Sequence, residues 1–161
     1  MLTVEELIKR VQELGIDVED LLISAVSRVD PGEAIRLRLE TAGKYLTEAG
    51  EYLERGDITQ ASEKAYKTAE EVVKALAEKY NMPEYQNALK EGRWYVYWLA
   101  SVATRLSESL GDWIKEGWDS AYYLHVWGFH EGKVDAHIVN IRLRDVRKLV
   151  EEASKILKNV K

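Results

Sequence analysis

The chain has no cysteine. That absence removes disulfides, thiolate zinc sites and cysteine nucleophiles together, and it suits a reducing compartment. Proline occurs only twice, and both copies read as helix punctuation. Asp30-Pro31 is a cap followed by proline at the first helical position, and Pro83 biases the residue before it away from helix. Excess positive charge is missing too. With 23 Lys and Arg against 28 Asp and Glu, the net charge is −5, which argues against a surface built for broad phosphate-backbone binding, though a local basic patch is still open. No apolar run is long enough to cross a bilayer. There is no Gly-rich phosphate loop, Walker sequence or nucleophile elbow. Met1-Leu2-Thr3-Val4 leads straight into an acidic amphipathic pattern, so no leader is expected and the chain reads as cytoplasmic.

What is present is helical periodicity. The junction Arg55-Gly56-Asp57 stops one long stripe and starts another. Ile35, Leu39, Ala42, Leu46, Ala49 and Leu53 lie before it, and Ile58, Ala61, Ala65, Ala69, Val72 and Leu76 after it. Each set steps by three or four residues. Gly56 fits a left-handed helix stop and Asp57 an N-cap, with Gln60 as capping-box partner. So short a connection makes the two helices antiparallel. Thr3 and Glu6 form another capping box before a short helix ending at Gly15, and Asp17 caps a second short helix. Beyond Pro83, Trp94 to Trp98 has strand propensity, but Trp98, Leu99, Val102 and Leu106 continue it at helical spacing. A further helix is expected from Trp113 to about Gly128, a short loop over 129–133, and a last helix carrying Ile138 to Leu157. These features predict an all-α antiparallel bundle in one domain, residues 1–161, with two short N-terminal helices (1–30) and a bundle core (31–161).

All five tryptophans and the single phenylalanine fall between Trp94 and Phe129. At helical spacing such residues build a core or a helix-mediated dimer interface, with a flat-ligand pocket lined by Trp94, Trp98, Trp118 and Tyr122 as the rival. His125, His130 and His137 cluster nearby. Their spacing is wider than the i, i+4 histidine pair with an intervening glutamate that marks a zinc helix, so no metal and no cofactor are expected. Glu63, Glu70, Glu71 and Glu78 lack the Glu-x-x-His pairs of a carboxylate-bridged metal bundle. Arg142, Arg144 and Arg147 lie on the first half of the last helix, where Arg144 and Arg147 share a face suited to a phosphate or carboxylate.

The segment from Gly56 to Glu71, with Trp127-Gly128-Phe129-His130-Glu131-Gly132, resembles the archaeal PaREP repeat-element proteins, which look like relatives of the HEPN superfamily of helical bundles. The resemblance covers roughly Ala34 to Leu157. It implies a bundle that often dimerises, as a metal-independent ribonuclease or a non-catalytic partner of nucleotidyltransferases. The nuclease signature, an arginine followed four to six residues later by histidine, is absent, so no catalytic residue is carried over. The reading is a non-catalytic, homodimeric binding module with a nucleotide or nucleic-acid ligand and no membrane role. Its rivals are a divergent ribonuclease using His125 or His130, and the aromatic pocket. The expected binding site is Trp127, Phe129, His130, Glu131 and Lys133 on the loop, with Arg142 and Arg144 beyond it.

Overall fold

The computed structural model describes residues 1–158; the last three positions of the expected domain lie outside the described residues. Among the described residues every regular element is helical. The elements are α1 (Val4–Glu13), α2 (Val18–Ser27), α3 (Pro31–Glu54), α4 (Ile58–Lys79), α5 (Pro83–Glu91), α6 (Val96–Leu110), α7 (Trp113–Tyr123), a π-helix (Leu124–His130) continuing α7, and α8 (Ala136–Leu157).

The N-caps at Thr3, Asp17, Asp30 and Asp57 form as expected, but Gln60 gives Asp57 only its backbone N–H and does not complete a capping box. Thr3 and Glu6 close a capping box. Asp17, Asp30, Asp57 and Asp135 each accept a hydrogen bond from the backbone N–H three residues on. Each satisfies a donor that the first helical turn would leave open. Gly56 has φ +78°, the left-handed geometry that turns α3 back on α4 and that residues with a Cβ resist.

The antiparallel pair α3 and α4 is the spine of the fold. Ala42, Ala49, Ala61, Ala65 and Ala69 are fully buried, small enough to let the two helices approach closely. The other side of α4 receives α8, α7 and the π-helix, and α6 meets it further along. Val72, Leu76, Leu99, Val102, Ile114, Leu124, Leu143, Val146 and Leu149 fill the space between them. Surrounded in this way, α4 buries residues on almost every side, so a polar group on it needs a partner or an opening to solvent, or bears the cost of burial, as Ser62 Oγ does.

Three boundaries differ from the sequence expectation. Pro83 stops α4 but also opens α5, occupying the first helical position where a missing N–H costs nothing. Trp94 and Tyr95 precede α6, Tyr95 being extended at its N-cap. Phe129 and His130 are not loop residues: the π-helix carries them.

Candidate functional site

One stripe of α4 carries a row of polar residues beside the apolar core. Glu63, Tyr66, Glu70 and Lys74 are spaced three, four and four apart, which aligns them along one helical face.

At the upper end of the stripe stands a histidine pair. Glu63 Oε2 lies 2.9 Å from His125 Nδ1, and His125 Nε2 lies 3.2 Å from His130 Nε2. Both histidines belong to the π-helix, whose turn is closed by bonds such as Glu131 N–H to the Val126 carbonyl at 2.9 Å. That i→i+5 pattern widens the turn and brings residues five apart onto one face; π-helical turns recur at functional sites. The wide turn also needs Gly128. A Cβ there would stand 2.2 Å from Ser62 Oγ and 2.6 Å from Ser62 Cβ, so only glycine lets the π-helix lie this close to α4. The His125 ring is stacked 3.9 Å from the Tyr66 ring at 22°, and the Phe129 ring lies nearly parallel to it at 6.2 Å. Its orientation is therefore fixed by packing and by Glu63 together. His130 is exposed.

At the lower end lies a charged cluster. Arg38 donates to Asp20 at 2.9 Å and to Glu71 at 2.7 Å, and Lys74 Nζ lies 3.0 Å from Asp20. Burial pushes the Asp20 carboxyl up, but Lys74 and Arg38 outweigh it and hold the group below the usual carboxylate range. Glu70 is the exception. Burial, only partly offset by Lys74 and reinforced by Glu71 and Glu63, pushes its carboxyl up to about 7.

Glu70, Lys74 and Asp20 open into a cleft of about 460 Å³ whose other walls include Asp17, Ser24, Arg93 and Trp94. A carboxyl perturbed mainly by burial, at the edge of a cleft of ligand size, is the combination expected of a binding or catalytic site. A separate apolar cleft of about 430 Å³ is formed by Tyr95, Val96, Tyr97, Ala100, Trp118 and Tyr122. The aromatic set expected to line one pocket is thus divided: Trp118 and Tyr122 face this cleft, Trp94 faces the charged one, and Trp98 packs edge-on against Tyr95 at 4.7 Å.

The residues expected to bind ligand are only partly together. Phe129 and His130 join His125 and Glu63. Trp127 is exposed, as are Glu131 and Lys133. Arg142 lies over the Tyr123 ring at 4.0 Å, and Arg144 is exposed. Sequence reasoning missed Glu63, Tyr66, Glu70, Lys74 and Asp20 as a group. The available signal was the run of polar residues on the buried face of an alanine-rich helix.

Fold and site together define an all-α bundle with a polar stripe along its central helix, and no described helix is long and apolar enough to cross a membrane. The sequence profile of the archaeal PaREP1/PaREP8 family matches residues 37–150, and the chain belongs to that family. A crystal structure of a protein from Sulfolobus solfataricus is 41% identical, with a TM-score of 0.66, and the alignment covers 71% of this chain and 94% of that one. A solution structure of the same target is 40% identical with a TM-score of 0.64, covering 75% and 94%. No curated protein matches the sequence. Glu63, Glu70, Lys74, His125 and His130 fall inside the family match, whereas α1, α2 and Asp20 fall outside it.

Proposed function

We propose that the protein is a non-catalytic, HEPN-like binding module of the cytoplasm that takes a nucleotide-class ligand in the cleft between α2, α4 and the start of α6. The observation that carries this reading is Glu70, whose carboxyl is pushed up to about 7 at the edge of a cleft of about 460 Å³. A carboxyl balanced between its two protonation states near neutral pH can donate or accept a hydrogen bond, which suits the mixed donor and acceptor edge of a heterocyclic base. Trp94 offers an aromatic wall for stacking, an interaction that contributes about 1–3 kcal/mol per base. Arg93 at the same cleft supplies a cation for a phosphate, the role arginine's planar fork serves best. The reading is non-catalytic because the arginine-to-histidine spacing of the ribonucleases is absent from the sequence. Homodimerisation belongs to the same proposal and rests on α1. That helix buries none of its residues and leaves Val4 and Leu7 exposed, with Leu14 exposed at its C-cap, an apolar surface suited to a second copy.

Titration calorimetry with nucleoside 5′-monophosphates tests the ligand. Saturable binding is expected, weakened at least tenfold by Glu70→Gln and by Trp94→Ala in protein whose helical circular dichroism is unchanged. No saturable heat with any of the common bases, or affinity unaltered in both variants, would overturn the assignment.

A further inference from the structure

From the pair His125 and His130, with Glu63 behind it, we infer a binding site for a borderline divalent metal ion of the zinc type. The site is separate from the nucleotide cleft and does not depend on it.

A carboxylate only accepts, so the 2.9 Å contact between Glu63 Oε2 and His125 Nδ1 requires a proton on Nδ1. In the neutral ring this leaves Nε2 as a bare lone pair. That lone pair lies 3.2 Å from His130 Nε2. With no metal bound, His130 Nε2–H donates to it. A metal ion takes the place of that shared proton, which passes from Nε2 to solvent while Nδ1 of His130 takes one up, so both rings stay neutral and coordinate through Nε2. Little rearrangement is needed, because two nitrogens each about 2.0–2.1 Å from a tetrahedral zinc lie about 3.3 Å apart.

The surroundings are those of a ligand set rather than of two chance surface histidines. A histidine that binds metal through one nitrogen almost always donates the other N–H to a carboxylate or carbonyl, which fixes its orientation and raises its basicity. Glu63 fills that role from a different helix. The His125 ring is held by its stack on Tyr66 at 3.9 Å and by Glu63 at 2.9 Å, so its lone pair is aimed before any metal arrives. His130 is exposed and gives the ion a route from solvent.

Among the described residues no group of three or more histidine and carboxylate side chains converges as metal ligands. The site therefore supplies two protein donors and leaves the remaining positions to water or to a donor atom from a bound molecule. Imidazole ligation favours zinc, copper or nickel over magnesium or calcium, which prefer all-oxygen shells.

Zinc chloride is the probe, with the full-length chain and calorimetry as the first measurement. One zinc per chain is expected. His130→Ala, a change at an exposed position, should abolish the transition. Glu63→Gln should weaken it about 10–100-fold, as loss of a supporting carboxylate does. His137→Ala, also exposed and outside the pair, should leave it unchanged. Nitrogen-15 spectra give the second readout: zinc should shift the Nε2 resonances of His125 and His130 and leave those of His137 in place. No zinc heat in the wild type, wild-type affinity in His130→Ala, or shifts confined to His137 would each overturn the assignment. Magnesium in place of zinc should give no response, and an equal response to it would also count against an imidazole site.

Discussion

Replacing Gly128 with alanine tests the close approach on which the histidine pair depends. The new Cβ would stand 2.6 Å from Ser62 Cβ, 2.2 Å from Ser62 Oγ and 3.1 Å from Val134 Cγ2. Carbon atoms in good contact are about 3.5–4.0 Å apart. The hydroxyl can swing aside by rotation about χ1, but Ser62 Cβ is fixed to α4 and cannot. The π-helix must therefore move outward by roughly an ångström. Overpacking of this kind costs about 1–3 kcal/mol, and a carbon–carbon approach this short belongs near the top of that range. Alanine recovers about 0.5–1 kcal/mol of backbone entropy relative to glycine in a helix. The net expectation is a loss of about 2 kcal/mol, which lowers the melting temperature by roughly 4–8 °C in a chain of this size. Thermal unfolding followed by circular dichroism measures it. Ser62→Gly supplies the control, because it removes both close atoms together with a buried hydroxyl that has no hydrogen-bond partner. With glycine at position 62, Gly128→Ala should become neutral or stabilising, an interaction of the size expected for residues in direct contact. If Gly128→Ala melts within about a degree of the wild type, or if the double variant loses the sum of the two single losses, the two helices do not touch as described and the reasoning fails.

Two further perturbations act elsewhere. Because burial raises the folded-state carboxyl of Glu70 from its usual 4.5 to about 7, its ionisation opposes folding: the stability it allows is fully present below the unfolded value and is lost as pH rises through about 7. Glu70→Gln should therefore leave stability near pH 4.5 almost unchanged and raise it by about 3 kcal/mol at pH 8, and urea titrations of both proteins that keep the same spacing at the two pH values would refute this. In a second test, Leu7→Asp, a substitution on a helix that buries nothing, should convert a light-scattering mass of twice the chain to that of one chain. A wild type that scatters as a monomer at high micromolar concentration would remove the dimer from the functional reading.

Much of the fold is legible in the sequence because its determinants are local. Thr3, Asp17, Asp30 and Asp57 act on backbone groups three residues away, and the stripes of α3 and α4 are read from spacings of three and four. The short α5 was not legible, since Pro83 serves both as the stop of one helix and the start of the next. The π-helix was hidden for a different reason. Nothing within Leu124-His125-Val126-Trp127-Gly128 demands a wide turn; its demand comes from fitting Gly128 against Ser62, more than sixty positions away in the chain. Read as an α-helix to about Gly128 followed by a loop over 129–133, the sequence places His125 and His130 on different elements. Counting helical turns from that loop puts Arg142 and Arg144 within reach of it, but Arg142 is engaged by the Tyr123 ring.

The polar stripe of α4 is therefore the feature that calls for a functional explanation. A buried ion pair is weak evidence of stability, since well-packed apolar residues of the same volume often do as well or better. The cluster of Arg38, Glu71, Asp20 and Lys74 nevertheless occupies the interior, and Glu70 stands next to it at a cost that grows with pH. Packing alone would be served by leucine or alanine at position 70, as it is at Ala65, Ala69 and Leu76 on the same helix. The hydroxyl of Tyr66 links the two ends of the stripe. It interacts with Glu70, its ring carries His125, and its own ionisation is pushed up by burial first and by Glu70 and Glu63 next. A helix made for support would not need this arrangement, whereas one that presents a tuned carboxyl at one end and an aimed imidazole at the other does.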